Sequence, residues 1–143
     1  MIAEACAKEA GFYFFQVTSK DIAQDFAGDQ IRRLTDIFNK TYAFSRNMKK
    51  DGIVLFFDEF DSLAKRNGFN SQVRGALLKC LDDKDNLRNK ESKILFVAAT
   101  NFFQDLDDAT VRPGRIDKHV LMDNPTEEDG KAFLKMLITQ DMR

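Results

Sequence analysis

Read for polarity alone, the chain alternates short unbroken apolar runs with longer stretches whose apolar residues recur every three or four positions. Ile53 to Phe57 is five apolar residues without a polar break, and Asp58 and Glu59 follow at once. An unalternating β-branched and aromatic run of this length describes a parallel strand buried on both faces. Ile94 to Ala99 repeats the pattern and ends in Thr100-Asn101, while Phe12 to Val17 is a short strand ending in Thr18-Ser19. A fourth, brief strand is predicted over His119 to Met122.

Helices fill the intervals. Met1 to Ala10 is rich in helix formers, and Gly11 stands where a C-terminal cap belongs. The chain thus opens inside a helix, as a piece of a longer protein would. Asp21 to Ala27 is a short, weakly helical segment. From Asp29 to about Phe44, Ile31, Leu34, Ile37 and Phe38 recur at helical spacing. Val73, Leu77, Leu78 and Leu81 share one face of a helix from about Asn70 to Leu81. Thr126 caps a last helix running to about Thr139, with Glu127 and Glu128 in its first turn. Between these lie a turn at Asp51-Gly52, a loop through Arg66-Asn67-Gly68, a charged loop from Asp82 to Lys93 and a Pro-Gly turn from Val111 to Arg115.

Strands alternating with helices predict a parallel sheet with right-handed crossovers. All three long strands end in polar pairs, so Thr18-Ser19, Asp58-Glu59 and Thr100-Asn101 are expected along one edge of that sheet, where open α/β sheets place their ligands. Adjacent carboxylates at such a point suit a metal–nucleotide site, one acid for a Mg²⁺ shell and the other to activate water. On this stretch alone, a strand ending in a solvated acidic turn fits equally well.

Composition narrows the setting. With 143 residues there is room for one domain, and a fold of that size buries about 70% of its unfolded surface. A net charge of −1 offers no overall field to nucleic acid or to an anionic membrane. Fourteen Phe against two Tyr and no Trp predict an aromatic core. Cys6 and Cys80 stand far apart without a CxxC, and there is one His, so a zinc site is not expected and reduced thiols in a cytoplasmic compartment are. No apolar run approaches a membrane span, and the acidic N-terminus does not read as a secretory signal.

Four motifs then resemble one family. Ile53 to Arg66 is similar to the Walker B segment of the AAA ATPases, a hydrophobic strand followed by D-E-x-D and a later Arg. Asn101 after the Ile94 strand resembles the family's sensor 1 residue. Asp108 to Asp117 resembles its second region of homology, whose two arginines act as fingers. Phe26-Ala27-Gly28 resembles the aromatic–hydrophobic–Gly element of the central pore loop. They occur in family order at family spacing, and the resemblance covers nearly the whole chain.

The resemblance implies a P-loop NTPase-like (AAA+) α/β fold, with residues 1–143 forming a single partial core domain. It implies ATP and Mg²⁺ as ligands, with Asp58 orienting the metal through its water shell and Glu59 as general base. Asn101 would reach between the attacking water and the γ-phosphate, donating and accepting without adding charge. Arg112 and Arg115 would project into a neighbour's site, which makes a ring of identical or homologous subunits, a hexamer in many members, obligatory for turnover. Phe26 would grip a polypeptide substrate, although a place in the Phe-rich core is the plainer reading. Asp61 and Arg66 could equally form a surface ion pair, and His119 reads as a packed strand-edge residue.

The chain also departs from the family. No G-x-x-x-x-G-K-[ST] occurs within it; that phosphate loop and its strand are expected just before Met1, the strand lying between those that start near Ile94 and His119. A helical lid with its sensor 2 arginine is expected beyond the last helix. Gln30 and Thr35 stand where the family often has Ser and Arg. The chain therefore reads as a fragment of an AAA module that drives protein remodelling or unfolding, and taken alone it is expected not to turn over ATP. The alternative is a catalytically incomplete AAA-like subunit that assembles without hydrolysis. Nuclease chemistry is disfavoured, since no basic face accompanies the acids.

Overall fold

A computed structural model describes residues 2–23, 25–47, 52–66, 71–82 and 93–141. Three parallel strands, β1 (Tyr13–Val17), β2 (Ile53–Phe57) and β3 (Ile94–Ala98), pair in the order β1-β2-β3, with Phe15 opposite Leu55 and Leu55 opposite Phe96. Every residue of the central strand β2 is buried, as an unalternating apolar run requires.

Period-two geometry divides that strand between two cores. Leu55 and Phe57 face α3 (Ala27–Asn47) and α5 (Ser71–Asp82), packing with Leu34 and Phe38 of the first and Val73, Leu77 and Leu81 of the second. Val54 and Phe56 face the other way, onto Ala7 of α1 (Ile2–Glu9) with Phe12, Phe14 and Val97. The aromatic excess is spent on the larger core. The Phe57 ring lies 5.8 Å from Phe38, 5.2 Å from Phe96 and 6.2 Å from Phe60, the last edge to face.

Helix ends follow the local chemistry. Gly11 takes φ +71°, and the pair Phe12 N–H to Ala7 C=O (2.8 Å) and Gly11 N–H to Lys8 C=O (3.1 Å) closes α1 in a Schellman turn. At α7 (Glu127–Asp141), Thr126 Oγ1 accepts from Asp129 N–H at 3.2 Å, while the Asp129 carboxylate accepts from Thr126 N–H at 2.9 Å.

Several expectations shift. The weak helix anticipated over Asp21 to Ala27 lies earlier, as α2 (Ser19–Ile22), because Asp21 closes onto Thr18 N–H and Oγ1 at 2.7 Å each. Two single-turn helices, α4 (Asp61–Ala64) and α6 (Asp108–Val111), and a 3₁₀ turn at Phe103–Asp105 carry too few residues to show a period. The brief strand expected over His119 to Met122 does not form. A strand needs a ladder partner, and among the described residues none lies beside this segment, so Val120 and Leu121 stand 80% and 84% exposed. The loops through Asn67-Gly68 and from 83 to 92 lie outside the described residues, as does Asp51.

Candidate functional site

The carboxyl ends of the three strands meet at one edge, held level by the sheet's own register. Val17 pairs with Phe57 and Phe57 with Ala98. The ladder then continues past the strands, with Asp58 N–H to Val17 C=O at 2.9 Å, Ala99 N–H to Phe57 C=O at 2.8 Å and Phe60 N–H to Ala99 C=O at 2.9 Å. Side chains tie the same three ends together. Ser19 Oγ donates to Glu59 Oε2 at 2.9 Å, and Thr100 Oγ1 donates to Asp61 Oδ1 at 2.7 Å.

Glu59 is the strained member of the group. It adopts φ +50°, a left-handed conformation costing a non-glycine residue of order 1–3 kcal/mol. Its own N–H donates to Asp58 Oδ1 at 2.9 Å, so the two acids are locked as a unit. The turn leaves Asp58 half-buried and Glu59 exposed, directly above the fully buried Phe57 and Phe60. One acid therefore sits against the sheet and the other faces solvent, a division suited to one structural and one reacting carboxylate.

Asn101 is exposed at the end of β3, and its amide meets no hydrogen-bond partner among the described residues. Its backbone is nonetheless fixed, because Phe102 N–H donates to Thr100 Oγ1 at 2.9 Å while that hydroxyl donates to Asp61. Asp61 thus braces the Asn101 turn instead of forming a surface ion pair. Arg66 does form one, with Asp108 at 2.6 Å, but both partners are exposed and such pairs add little. Sequence reasoning grouped Ser19 and Thr100 with the strand ends but gave neither a partner; only the assembled sheet supplies those.

The other expected positions lie apart from this edge. Phe26 is 73% exposed, outside both core clusters, immediately before the start of α3 at Ala27, with Gly28 in its first turn. The plainer reading of Phe26 as core is excluded. His119 lies edge-on to Phe103, ring centroids 5.0 Å apart, with Nε2 3.0 Å from Ile116 C=O.

Arg112 and Arg115 differ sharply. Arg112 is exposed and has no hydrogen bond or ion pair from its guanidinium among the described residues. The Arg115 side chain is only 8% exposed and grips Asp82 with both Nε (2.7 Å) and Nη2, while Nη1 donates to Ala109 C=O. The Asp82 carboxylate holds the Arg115 pKa above its ordinary value, so the group stays charged. Asp82 lies 33 residues from Arg115 in sequence, and no local pattern announces the contact.

The donor set fits a hard divalent cation of the Mg²⁺ kind, which takes one or two carboxylates and fills its shell with water and substrate phosphates. Asp58 supplies such an oxygen at the strand end. No group of three His, Cys, Asp or Glu among the described residues forms a metal cluster.

Comparison with known proteins agrees with this geometry. The chain is 32% identical over 141 residues to an ATP-dependent zinc metalloprotease FtsH of Malacoplasma penetrans, covering 95% of this chain and 16% of that protein. It is 35% identical over 141 residues to the corresponding protein of Ureaplasma parvum, covering 95% and 18%. It is 29% identical over 132 residues to a 26S proteasome regulatory subunit 4 homolog of Schizosaccharomyces pombe, covering 89% and 28%. The chain thus spans well under a third of these relatives' lengths. The profile of the "ATPase family associated with various cellular activities (AAA)" matches residues 1–124. With the three-stranded parallel sheet and its convergent polar edge, that match makes the chain a member of the AAA family.

Proposed function

We propose that this chain is the catalytic half of an AAA module that binds and hydrolyses ATP to remodel or unfold polypeptides, working in a ring, a hexamer by analogy with the family. The observation that supports this best is Glu59. It is held in a strained turn, fixed by the Asp58 carboxylate and by Ser19 at the start of α2, at the edge where Asn101 also stands. Glu59 would take a proton from the attacking water, Asn101 would align that water with the γ-phosphate, and Asp58 would hold Mg²⁺. When bound, Mg²⁺ would supply neutralisation of phosphate charge; the transition state is loose, so the rest is positioning.

Exposed Arg112 is free to reach a neighbouring subunit's nucleotide, and exposed Phe26 at the head of α3 is free to touch a translocating chain. That relatives are named as an ATP-dependent protease and a proteasome regulatory subunit supports a polypeptide substrate. Two free cysteines accord with a cytoplasmic setting, and no helix among the described residues is long and apolar enough to cross a membrane.

The test mixes two dead variants of the full-length protein, Glu59→Gln and Arg112→Ala. A mixed ring contains interfaces where an intact Glu59 faces an intact Arg112, so ATPase activity reappears on mixing. If subunits exchange and the mixture stays dead, the shared site is wrong. The second reading is a subunit that assembles without hydrolysis. In that case the full-length wild type has no activity to restore.

A further inference from the structure

Two arginines of the same motif occupy one β-turn, and their surroundings differ. Arg112, Pro113, Gly114 and Arg115 form its four positions. Arg115 N–H donates to Arg112 C=O at 3.1 Å, Pro113 sits at the second position, and Gly114 takes φ +96° at the third. Those are the marks of a type II turn, which needs a glycine where φ is positive. The two arginines are therefore its first and last residues, less than about 7 Å apart at Cα.

From that short arm one guanidinium turns inward. Arg115 spends all three of its nitrogens on its own chain, two on the Asp82 carboxylate at the end of α5 and one on Ala109 C=O in α6. A bidentate fork of this kind fixes both distance and plane. The same arm is anchored at its other end. The half-buried pair Arg74–Asp107 (3.4 Å) joins α5 to the N-cap of α6, and Arg74 Nη1 also donates to Lys65 and Arg66 C=O at 3.1 and 2.8 Å. Of the two arginines of the turn, Arg112 is the exposed one.

We propose that the two arginines divide the work. Arg115 and Asp82 form an internal clamp that sets the turn against α5, and Arg112 is the guanidinium presented to a neighbouring subunit's nucleotide. Asp82 and Arg115 are positioning residues. This rests on the ATPase reading above for Arg112's target, but the clamp itself does not.

The physical reason is competition. To reach a second subunit's phosphate, Arg115 would have to break a charge-assisted bidentate pair and leave the Ala109 carbonyl without its donor, whereas Arg112 has no partner among the described residues to give up. A clamped neighbour also removes freedom from the turn, so Arg112 is held at a defined height before any subunit docks.

Arginine-selective dicarbonyl labelling read by peptide mass spectrometry tests the clamp on the full chain. Arg112 labels at the rate of Arg32, another exposed arginine, and Arg115 at least tenfold more slowly. In Asp82→Asn the Arg115 rate rises toward that of Arg112. Equal labelling of the two in the wild type overturns the proposal. In the full-length ring, Arg112→Ala lowers kcat by about 10³–10⁵. Asp82→Asn and Arg115→Lys, which disturb only the placement of the turn, lower kcat by up to about 10²-fold with KM for ATP unchanged. Combining those two variants costs no more than the worse of them. If Arg115→Lys is as dead as Arg112→Ala while Asp82→Asn keeps full turnover, Arg115 itself is the presented group and the division fails. A wild-type ring without ATPase would sink the ATPase reading alone, and labelling would still decide the clamp.

Discussion

The β2 core and the segment after Ile116 use similar residues to opposite effect. Phe57 is 1% exposed, enclosed by Phe38, Phe60 and Phe96, whereas Val120, Leu121 and Met122 are 63–84% exposed and Phe133 and Leu134 of α7 are more than half exposed. Hydropathy is the same in both; what differs is whether another element lies opposite. β2 has a strand on each side and helices on both faces, while residues 119–122 have no ladder partner among the described residues. An apolar run says that a partner is needed, and only the assembled fold says whether it is present.

Single truncations break or sharpen this contrast most directly. Phe57→Ala should cost about 3–5 kcal/mol of stability in a denaturant melt, because it opens a cavity among three other rings. Leu121→Ala should stay within about 0.5 kcal/mol, as an exposed side chain loses few contacts. Equal costs at the two positions would show the later segment to be packed in solution, and the comparison would collapse.

Most of the packed region was legible for the reason those truncations exploit. Strands β1 to β3 and helices α3 and α5 carry periods that their burial preserves, and Thr18-Ser19, Asp58-Glu59 and Thr100-Asn101 converge because parallel strands in register end at one level. The strand expected at His119 to Met122 failed because local pattern cannot supply a neighbour. The Asp82–Arg115 clamp was invisible for a related reason: an ion pair across 33 residues leaves no mark in either flanking segment. Asp58, Glu59 and Asn101 could be located at the edge from sequence, but the strained turn at Glu59 could not.

A smaller effect is expected at Gly11. With φ +71° this position favours glycine, so Gly11→Ala should lower stability by about 1–2 kcal/mol even though nothing lies within 4 Å of the added methyl. A neutral result in a thermal melt would mean that the α1 end is not held in this Schellman turn, and would weaken the account of α1 as one wall of the core.

The smallest effect is acid sensitivity at helix starts. Asp21 is held below its ordinary pKa by the Thr18 N–H and hydroxyl, and Asp129 by the Thr126 hydroxyl and N–H. Both folded values lie beneath the unfolded carboxylate value of about 3.9. Their stabilisation is therefore complete above that pH and is lost as pH falls through the depressed folded values. Stability measured between about pH 5 and pH 2 should fall less in Asp129→Asn than in the wild type. An identical pH profile would remove the capping role assigned to Asp129. Because α7 lies in the exposed region, this loss should leave the β2 core intact.

The central claim is that Glu59, strained and braced at the strand edge, is the base for ATP hydrolysis. It is tested most directly by the ATP affinity and turnover of Glu59→Gln in the full-length ring. The account predicts ATP binding close to wild type and a turnover lowered by about 10²–10⁴, the usual contribution of a general base. Wild-type turnover in Glu59→Gln would contradict it.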